Sequence, residues 1–377
     1  MIKRNISGAK PNFFERDKDI ICEVEDVLKS GILTQGSYLE RFENSFSVAI
    51  GSKYCLGTNS GGTALEIILK AVDVRGAKVI VPTDTFVATP ASVIQAGGEV
   101  VFADVEKETL SLNIEDVKSK ITDNVKAIIV VHMFGIISDS IIELQEICHS
   151  KGITLIEDAA HAHGASYENI PAGMLSDISA FSFYATKIVT MGEGGAIITK
   201  NKRIYKKVWA LRNHGKKESS NEFDFISNNY RLSEIQAILG YHQLLDLDKN
   251  IKMREEIAAV YTKELSQVID IELLKTSTKG RHSFWRFPLY ISENIDRNKL
   301  QSRMESEYGI RINWMYDPLC HLQPVYRKLY NTAEGDFPIA EKCIKRLICL
   351  PNHTWVSKND AKYITYGIKE LLTKCRK

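Results

Sequence analysis

The sequence predicts an α/β protein in which helices cover a mostly parallel β-sheet. Between about residues 77 and 200, segments with the composition of short strands alternate with helical segments, as in a layered α/β domain. Several strand segments, such as AIIVV at 127–131, are continuous apolar runs, which is expected for strands buried on both faces of a parallel sheet. After about residue 250 the pattern changes to helices mixed with isolated strands, which predicts a smaller α+β region.

The first part of the chain supplies most of these elements. A first helix is indicated by DIICEVEDVLKSG, in which Gly31 is a suitable C-terminal cap. Further helices are expected at 63–72 and 138–152. The strands are short and rich in β-branched or aromatic residues, and they are expected at 77–82, 99–105, 126–134, 153–159, 178–184 and 195–200.

The C-terminal part begins with a long helical stretch at 250–268. It continues with a strand at 284–291, a helix at 297–309, a short strand at 311–316 and a final helix. A chain of 377 residues is longer than one hydrophobic core usually supports. We therefore predict two domains, residues 1–250 and 251–377, with a boundary uncertain by several residues.

Charge and composition exclude several classes of protein. The formal net charge is +2 and there is no basic run, so we expect no nucleic-acid partner. The N-terminus lacks an apolar stretch and the longest apolar runs have the length of strands, so we expect no signal peptide, no membrane span and a cytoplasmic location. The seven cysteines include no CxxC pair, so we predict neither a metal site nor a disulfide framework.

Two segments have the chemistry of a cofactor site. In GTNSGGTALE, the loop Ser60–Thr63 leads into a helix, whose free N–H groups can bind a phosphate. The alternative is a plain loop with Thr63 as the N-cap. Phe86 follows a strand, where its ring could stack on a planar cofactor or could simply belong to the core.

A lysine and an aspartate then indicate which cofactor this is. Asp158 ends an apolar strand, and Lys187 lies 29 residues later in FSFYATK, a loop that also contains Ser182. Pyridoxal phosphate (PLP) needs an amine for its Schiff base and an acid to keep its pyridine nitrogen protonated. A capping aspartate and a solvent-exposed lysine are the alternatives. His161 could approach the cofactor ring, whereas His163 could support the loop.

Taken together, these segments resemble the DegT/DnrJ/EryC1/StrS family of sugar aminotransferases. The resemblance covers nearly the whole chain, from GILTQGSYLERFE through NSGGTALE, PTDTFVAT, IEDAAHAHGA, FSFYATK and NNYRLSEIQAILG to DPLCHLQPVY and LPNH. It implies PLP fold type I, with a mostly parallel seven-stranded sheet between helices and a smaller C-terminal α+β domain. It also implies a homodimer with shared active sites.

The resemblance implies a role for each matching residue. Lys187 would form the Schiff base and relay the proton, and Asp158 would hold the pyridine nitrogen. Further cofactor contacts are implied for Gly62, Thr63, Phe86, His161, Ser182 and Asn229, the last reaching the phosphate of the neighbouring subunit. Two positions depart from the family pattern: Gly62 stands where a threonine is usual, and His161 where many members have glutamine.

The implied reaction is a transamination from L-glutamate, through the pyridoxamine form (PMP), to a keto sugar. The acceptor would be a nucleotide-linked 3- or 4-keto-6-deoxy sugar for lipopolysaccharide, capsule or another glycan. A keto-cyclitol, a small phosphorylated ketone, or a non-catalytic regulator with the same fold are the alternatives. A sugar dehydratase of this fold would carry histidine in place of Lys187, and a nicotinamide dehydrogenase would need a glycine fingerprint that is absent.

Substrate contacts are harder to assign from the sequence. Tyr316 and His321 lie in a loop after the predicted strand at 311–316, and His321 could be a substrate ligand or a structural hydrogen-bonding residue. Arg231 could bind substrate or order the dimer interface. The turn at 34–36 and the segment 212–217 are further candidates.

Overall fold

The structure is a computed structural model that describes residues 3–13, 15–218 and 220–377. Its helices are α1 Asp17–Ser30, α2 Ser37–Ile50, α3 Gly61–Val72, α4 Ala88–Gln95, α5 Ile114–Lys120, α6 Ile141–Lys151, α7 Lys202–Arg212, α8 Glu234–Leu245, α9 Leu247–Leu265, α10 Arg297–Arg303, α11 Pro324–Tyr330, α12 Pro338–Arg346 and α13 Lys358–Leu372. Its strands are β1 Tyr54–Thr58, β2 Lys78–Pro82, β3 Glu99–Ala103, β4 Val125–Val131, β5 Thr154–Asp158, β6 Ser166–Tyr167, β7 Ile170–Pro171, β8 Ile178–Ser182, β9 Gly195–Thr199, β10 Ile271–Leu273, β11 Gly280–Arg281, β12 Phe287–Ile291 and β13 Leu347–Leu350.

Within the described residues, seven strands form one large sheet in the order β1-β9-β8-β5-β4-β2-β3. The strands are parallel except that β9 runs antiparallel to both of its neighbours. Alternate residues of β4 pack into the two hydrophobic cores on opposite faces, Ile129 into one and Ile128 into the other. Because both faces are buried, these strands read as continuous apolar runs. The predicted α/β fold with a mostly parallel sheet is confirmed.

A second, smaller sheet, β10-β12-β13, forms with helices α9, α10 and α13 a separate hydrophobic core. Ile6 also packs in this core, and it pairs with Ile310. The predicted domain boundary after residue 250 falls inside α9, which runs without interruption from Leu247 to Leu265. The division into two domains therefore stays a prediction, and the first residues of the chain pack with its C-terminal part.

Most of the predicted elements are confirmed to within a few residues. The predicted strand at 311–316 is wrong: around it, Ile310 and Asn313 make only isolated bridges among the described residues. The sequence analysis did not predict β1 or β13, which are short strands next to helices. Among the residues described, no helix combines the length and the apolar character needed to cross a membrane.

Glu157, on β5, holds the segment that leads into β8. Its buried carboxylate accepts hydrogen bonds from His132 Nε2 at 2.9 Å, the backbone N–H groups of Gly173 at 2.6 Å and Leu175 at 2.8 Å, and the Ser176 hydroxyl at 2.8 Å. Successive side chains of a strand point to opposite faces, so the next residue on β5 faces the other side of the sheet. Glu157 therefore fixes the end of the strand from which Asp158 projects.

We expect Glu157→Gln to lower the free energy of unfolding by roughly 3 kcal/mol, because an amide N–H would face the N–H donors that the carboxylate now satisfies. Chemical denaturation of both forms measures this loss. Glu115→Gln is the matched control, since the Glu115 side chain is 82% exposed. An unfolding curve of Glu157→Gln that coincides with that of the unmodified protein would contradict the assignment.

Candidate active site

A cavity of about 740 Å³ lies at the carboxyl edge of the large sheet. One side is formed by residues at the ends of β5 and β8, by the loop after β2 and by the start of α3. The other side comes from residues 285–286 and 313–316 of the C-terminal part. Ligands of open α/β sheets bind at this edge, where the loops that follow parallel strands converge. The cavity thus joins segments that are far apart in the sequence.

Asp158 is the buried carboxylate of the cavity. Its Oδ2 accepts a hydrogen bond from the Thr89 hydroxyl at 2.9 Å, and its Oδ1 accepts one from the backbone N–H of Ala160 at 3.2 Å. Among the described residues, no cationic side chain forms an ion pair with it. Burial raises its pKa above the ordinary value, while these hydrogen bonds and the charge of Lys187 act in the opposite direction. A buried carboxylate of this kind requires a cationic partner to stay ionised.

Lys187 reaches the same cavity from the loop that follows β8. Its Nζ lies 4.2 Å from the centroid of the Trp285 ring. Burial lowers the pKa of its amine to about 7, the charge of Asp158 raises it, and that of Arg286 lowers it. The loop is held on both sides of the lysine, because Trp285 Nε1 donates to the Thr186 carbonyl at 2.7 Å and Asn250 donates to the Ile188 carbonyl at 3.0 Å. A neutral amine, the reactive form, is therefore accessible near neutral pH.

The start of α3 forms the anion-binding end of the cavity. The first N–H groups of a helix have no acceptor within the helix and carry partial positive charge, and here they belong to Gly61 and Gly62. A Cβ atom on Gly61 would come within 2.7 Å of the Ser182 Cβ atom, so only glycine lets the backbone approach so closely. Ser182 itself lines the cavity beside it.

Thr63 is not among these cavity residues. Its hydroxyl donates to Asn59 Oδ1 at 2.6 Å and accepts from the backbone N–H of Ser60, while its own N–H donates to the Ser60 hydroxyl. The two side chains form a capping box at the start of α3. The sequence left open that Thr63 is the N-cap; in the structure Ser60 is the N-cap, and Thr63 is the third helical residue, which completes the capping box. The phosphate contact that the resemblance implies for Thr63 stays a prediction, and the helix-start N–H groups that line the cavity are those of Gly61 and Gly62.

Aromatic rings form the sides of the cavity. The His161 ring stacks on Trp285 with centroids 3.8 Å apart, and the exposed Phe86 ring lies 5.4 Å from that of Tyr316. Burial, with the charge of Lys187, lowers the pKa of His161 well below its ordinary value. Because the Phe134 N–H donates to Nδ1, the neutral ring carries its proton on Nε2, which lies 3.4 Å from the Tyr316 hydroxyl.

Three residues singled out in the sequence lie outside the cavity of their own chain. His321 is buried in the core, where its ring bonds the Thr83 hydroxyl and the Glu341 carboxylate, so its candidacy as a substrate ligand is corrected to a structural role. Asn229 is exposed on the surface, and its Oδ1 accepts from the backbone N–H of Arg231 at 3.1 Å. Neither Asn229 nor Arg231 lines the cavity.

Thr89, Trp285 and Arg286 also line the cavity, although no sequence motif marks them as site residues. Thr89 lies one helical turn after Thr85, and its hydroxyl bonds both Thr85 and Asp158. Trp285 and Arg286 belong to the segment FWRFPLYI, which was read only as a strand. A charged residue within an otherwise apolar run was the available signal, because such residues are rarely buried without a purpose.

The groups present in the cavity fit pyridoxal phosphate. A buried acid without a cationic partner suits the pyridine nitrogen, free N–H groups at a helix start suit the phosphate, and an amine of lowered pKa suits the aldehyde. The exposed ring of Phe86 is available for stacking on a planar ligand. These chemical properties match the cofactor expected from the sequence.

Comparison with known proteins leads to the same family. The model of the DegT/DnrJ/EryC1/StrS aminotransferase family matches residues 15–369. A GDP-perosamine synthase of Vibrio cholerae is 32% identical over 351 residues, which is 92% of this chain and 94% of that protein.

Two solved structures share the fold over nearly the whole chain. Helicobacter pylori PseC, an aminotransferase involved in the biosynthesis of pseudoaminic acid, has 26% identity and a TM-score of 0.90, covering 98% of this chain and 100% of that one. The PLP form of Streptococcus pneumoniae Spr1654 has 26% identity and a TM-score of 0.92, covering 99% of this chain and 100% of that one. The chain therefore belongs to the DegT/DnrJ/EryC1/StrS aminotransferase family and is a pyridoxal phosphate-dependent aminotransferase of fold type I.

Proposed function

We propose that this aminotransferase moves an amino group from L-glutamate to a nucleotide-linked 3- or 4-keto-6-deoxy sugar, for a surface polysaccharide or another amino-sugar product. The observation that carries the catalytic part is the Lys187 amine, whose pKa desolvation lowers to about 7, in one cavity with the carboxylate of Asp158. The sugar acceptor is supported by the named relatives, since GDP-perosamine synthase and PseC both belong to amino-sugar biosynthesis. A cytoplasmic location stays a prediction.

Each residue of the cavity has a part in this proposal. When bound, pyridoxal phosphate supplies an electron sink that acidifies the Cα–H bond of the amino acid. Lys187 Nζ takes the proton from Cα of the donor and later delivers a proton to the carbon that is aminated. Asp158 keeps a proton on the pyridine nitrogen. The N–H groups of Gly61 and Gly62, together with the Ser182 hydroxyl, orient the phosphate.

His161 and Phe86 complete the proposed cofactor site. The neutral His161 ring presents Nε2–H to the cavity, where it can donate to the cofactor oxygen without adding a second cation beside Lys187. Phe86 offers its face to the pyridine ring. In this proposal Tyr316, whose hydroxyl lies 3.4 Å from His161 Nε2, contacts the substrate.

We further propose a homodimer in which each subunit completes the active site of the other. The segment before Asn229 exposes large apolar side chains: Phe223 is 62% exposed and Ile226 fully exposed. An exposed apolar patch of this kind is typical of an interaction surface. In the proposed dimer it packs against the second copy, and Asn229 reaches that copy's phosphate site. Arg231 either contacts the substrate there or orders the interface.

We expect Lys187→Ala to abolish both half-reactions, because no other amine in the described cavity can move the proton. Absorption spectra before and after addition of L-glutamate, and then of a panel of keto sugars that includes nucleotide-free ketones, measure each half-reaction. Lys53→Ala, which removes an exposed lysine, is the control and should behave as the unmodified enzyme. Amino transfer by Lys187→Ala at a near-normal rate would refute the role of Lys187.

The lowered pKa of Lys187 predicts how cofactor capture depends on pH. The neutral amine reacts, so below pH 7 the rate at which apoprotein captures PLP should fall about tenfold for each pH unit. Above about pH 8 the rate should level off, whereas an ordinary lysine would keep gaining rate up to about pH 10. A free lysine derivative measured in parallel corrects for the titration of PLP itself. A rate that still rises at pH 10 would show that Lys187 is not desolvated.

Shared active sites predict complementation between two inactive variants. In a mixed dimer of Lys187→Ala with Asn229→Asp, one site carries both changes and the other carries neither. An equal mixture that exchanges subunits should therefore regain about a quarter of full activity. Each variant alone, treated in the same way, is the control. If every subunit builds its site alone, the mixture stays as inactive as its components.

A further inference from the structure

Arg286 is a buried cation in the cavity that the proposed chemistry does not use. Its side chain is only 4% exposed, and it lines the cavity just before β12. In the part of the chain that the structure describes, no carboxylate lies within ion-pair distance, and its buried Nε has no hydrogen-bond partner. Its Nη1 donates to the carbonyl of Gly8. A buried charge without a counter-charge is costly, and burial lowers the pKa of Arg286.

Other buried arginines of the chain are compensated in ordinary ways. Arg212 forms an ion pair with Glu43 at 2.6 Å. Arg254 donates to the Asn250 side chain at 2.7 Å and to the backbone carbonyls of Trp285 and Asn352. Among the described residues Arg286 has instead a single acceptor, the carbonyl of Gly8, and no ion pair, so internal contacts leave its charge without a counter-charge. A buried cation of this kind is suited to bind an anion from outside the chain.

The position of Arg286 restricts which anion this can be. Its Cζ lies 5.0 Å from the centroid of the Trp285 ring, and Lys187 Nζ lies 4.2 Å from the same point. The two cations are therefore at most 9.2 Å apart, the sum of these distances. Their charges act on each other, since Arg286 lowers the pKa of Lys187. An anion bound by Arg286 in this cavity would therefore have its partner cation at most 9.2 Å from the amine of Lys187, a distance comparable to the length of a small substrate.

An amino acid has the dimensions to span this gap. Its nitrogen and its carboxyl carbon are roughly 2.5 Å apart, from standard bond lengths and angles. The carboxyl carbon of a guanidinium–carboxylate pair lies roughly 4 Å from the guanidinium carbon, given N···O distances of about 2.8 Å. An amino group at the position of Lys187 Nζ thus places its α-carboxylate in contact with Arg286 at a cation separation of roughly 6.5 Å, which lies within the 9.2 Å limit. Arginine is also the side chain best suited to a planar carboxylate.

We infer that Arg286 binds a carboxylate of the amino donor and so selects an amino acid for the first half-reaction. This inference rests on the proposed function, in which L-glutamate is the donor. Arg286 acts here as a substrate-binding residue, and its buried charge is kept at a cost to stability because the donor neutralises it. The second half-reaction uses a sugar and gains nothing from this contact.

The test measures the two half-reactions separately in the PLP-loaded enzyme and in its Arg286→Met and Arg286→Lys variants. Arg286→Met should slow the reaction with L-glutamate, and its reversal with 2-oxoglutarate, by about 100-fold, the factor expected for loss of a charge-assisted paired contact. Arg286→Lys should retain part of the rate. The reaction with a nucleotide-linked keto sugar should change little. Arg311→Met is the control, since Arg311 is exposed and paired with Glu305 at 2.9 Å.

Two further readouts separate binding from structure. Glutarate, a dicarboxylate without an amine, should bind the PLP-loaded enzyme in calorimetry and lose this binding in Arg286→Met. The thermal midpoint of Arg286→Met should be equal to or higher than that of the unmodified enzyme, since an uncompensated buried charge has been removed. A lower midpoint with both half-reactions impaired would make Arg286 structural and overturn the inference.

Each of the other possible results also leads to a definite conclusion about Arg286. Loss of the sugar half-reaction alone would assign Arg286 to the phosphates or another anion of the acceptor, and it would overturn the inference. If Arg286→Met leaves both the kinetics and the binding of glutarate unchanged, the inference is also overturned. If the unmodified enzyme does not react with L-glutamate, the proposed function fails, while the glutarate measurement still decides whether Arg286 binds a carboxylate.

Discussion

The balance of charge inside the cavity is the constraint on which the rest of the site depends. Lys187 and Asp158 lie in surroundings that disfavour both of their charged forms, so burial lowers the pKa of the amine and raises that of the acid. Neither group would have these properties at the protein surface. The fold creates the environment by closing the carboxyl edge of the large sheet with residues from the C-terminal part of the chain.

The sheet topology explains why these groups meet. Asp158 ends β5 and Ser182 ends β8, and the two strands are parallel neighbours, so both side chains emerge at one edge. Glu157, on the opposite face of β5, is fixed by four hydrogen bonds and keeps that edge in place. The position of the acid therefore follows from backbone pairing and from a carboxylate that takes no part in the chemistry.

The sequence predicts the part of the site that is encoded locally. The segments around Asp158 and Lys187 each contain their functional residues within a few positions. The order of the strands in the sheet then brings the two segments together. Thr63 and His321 differ, because their partners could not be read from the sequence: Asn59 and Ser60 take the hydroxyl of one, and Thr83 and Glu341 take the ring of the other. Trp285 and Arg286 were missed for a related reason, since only the folded chain brings the segment before β12 to the cavity.

The contact of Trp285 with the lysine loop has a consequence for the order of events during synthesis. Trp285 lies two residues before strand β12, which pairs with β13 at 347–350. A nascent chain that has completed the large sheet still lacks the indole ring that stacks on His161 and bonds Thr186. Its lysine remains solvated and ordinary in basicity. Cofactor capture by a desolvated lysine is therefore expected only once the segment through β13 has been synthesised and has folded against the large sheet.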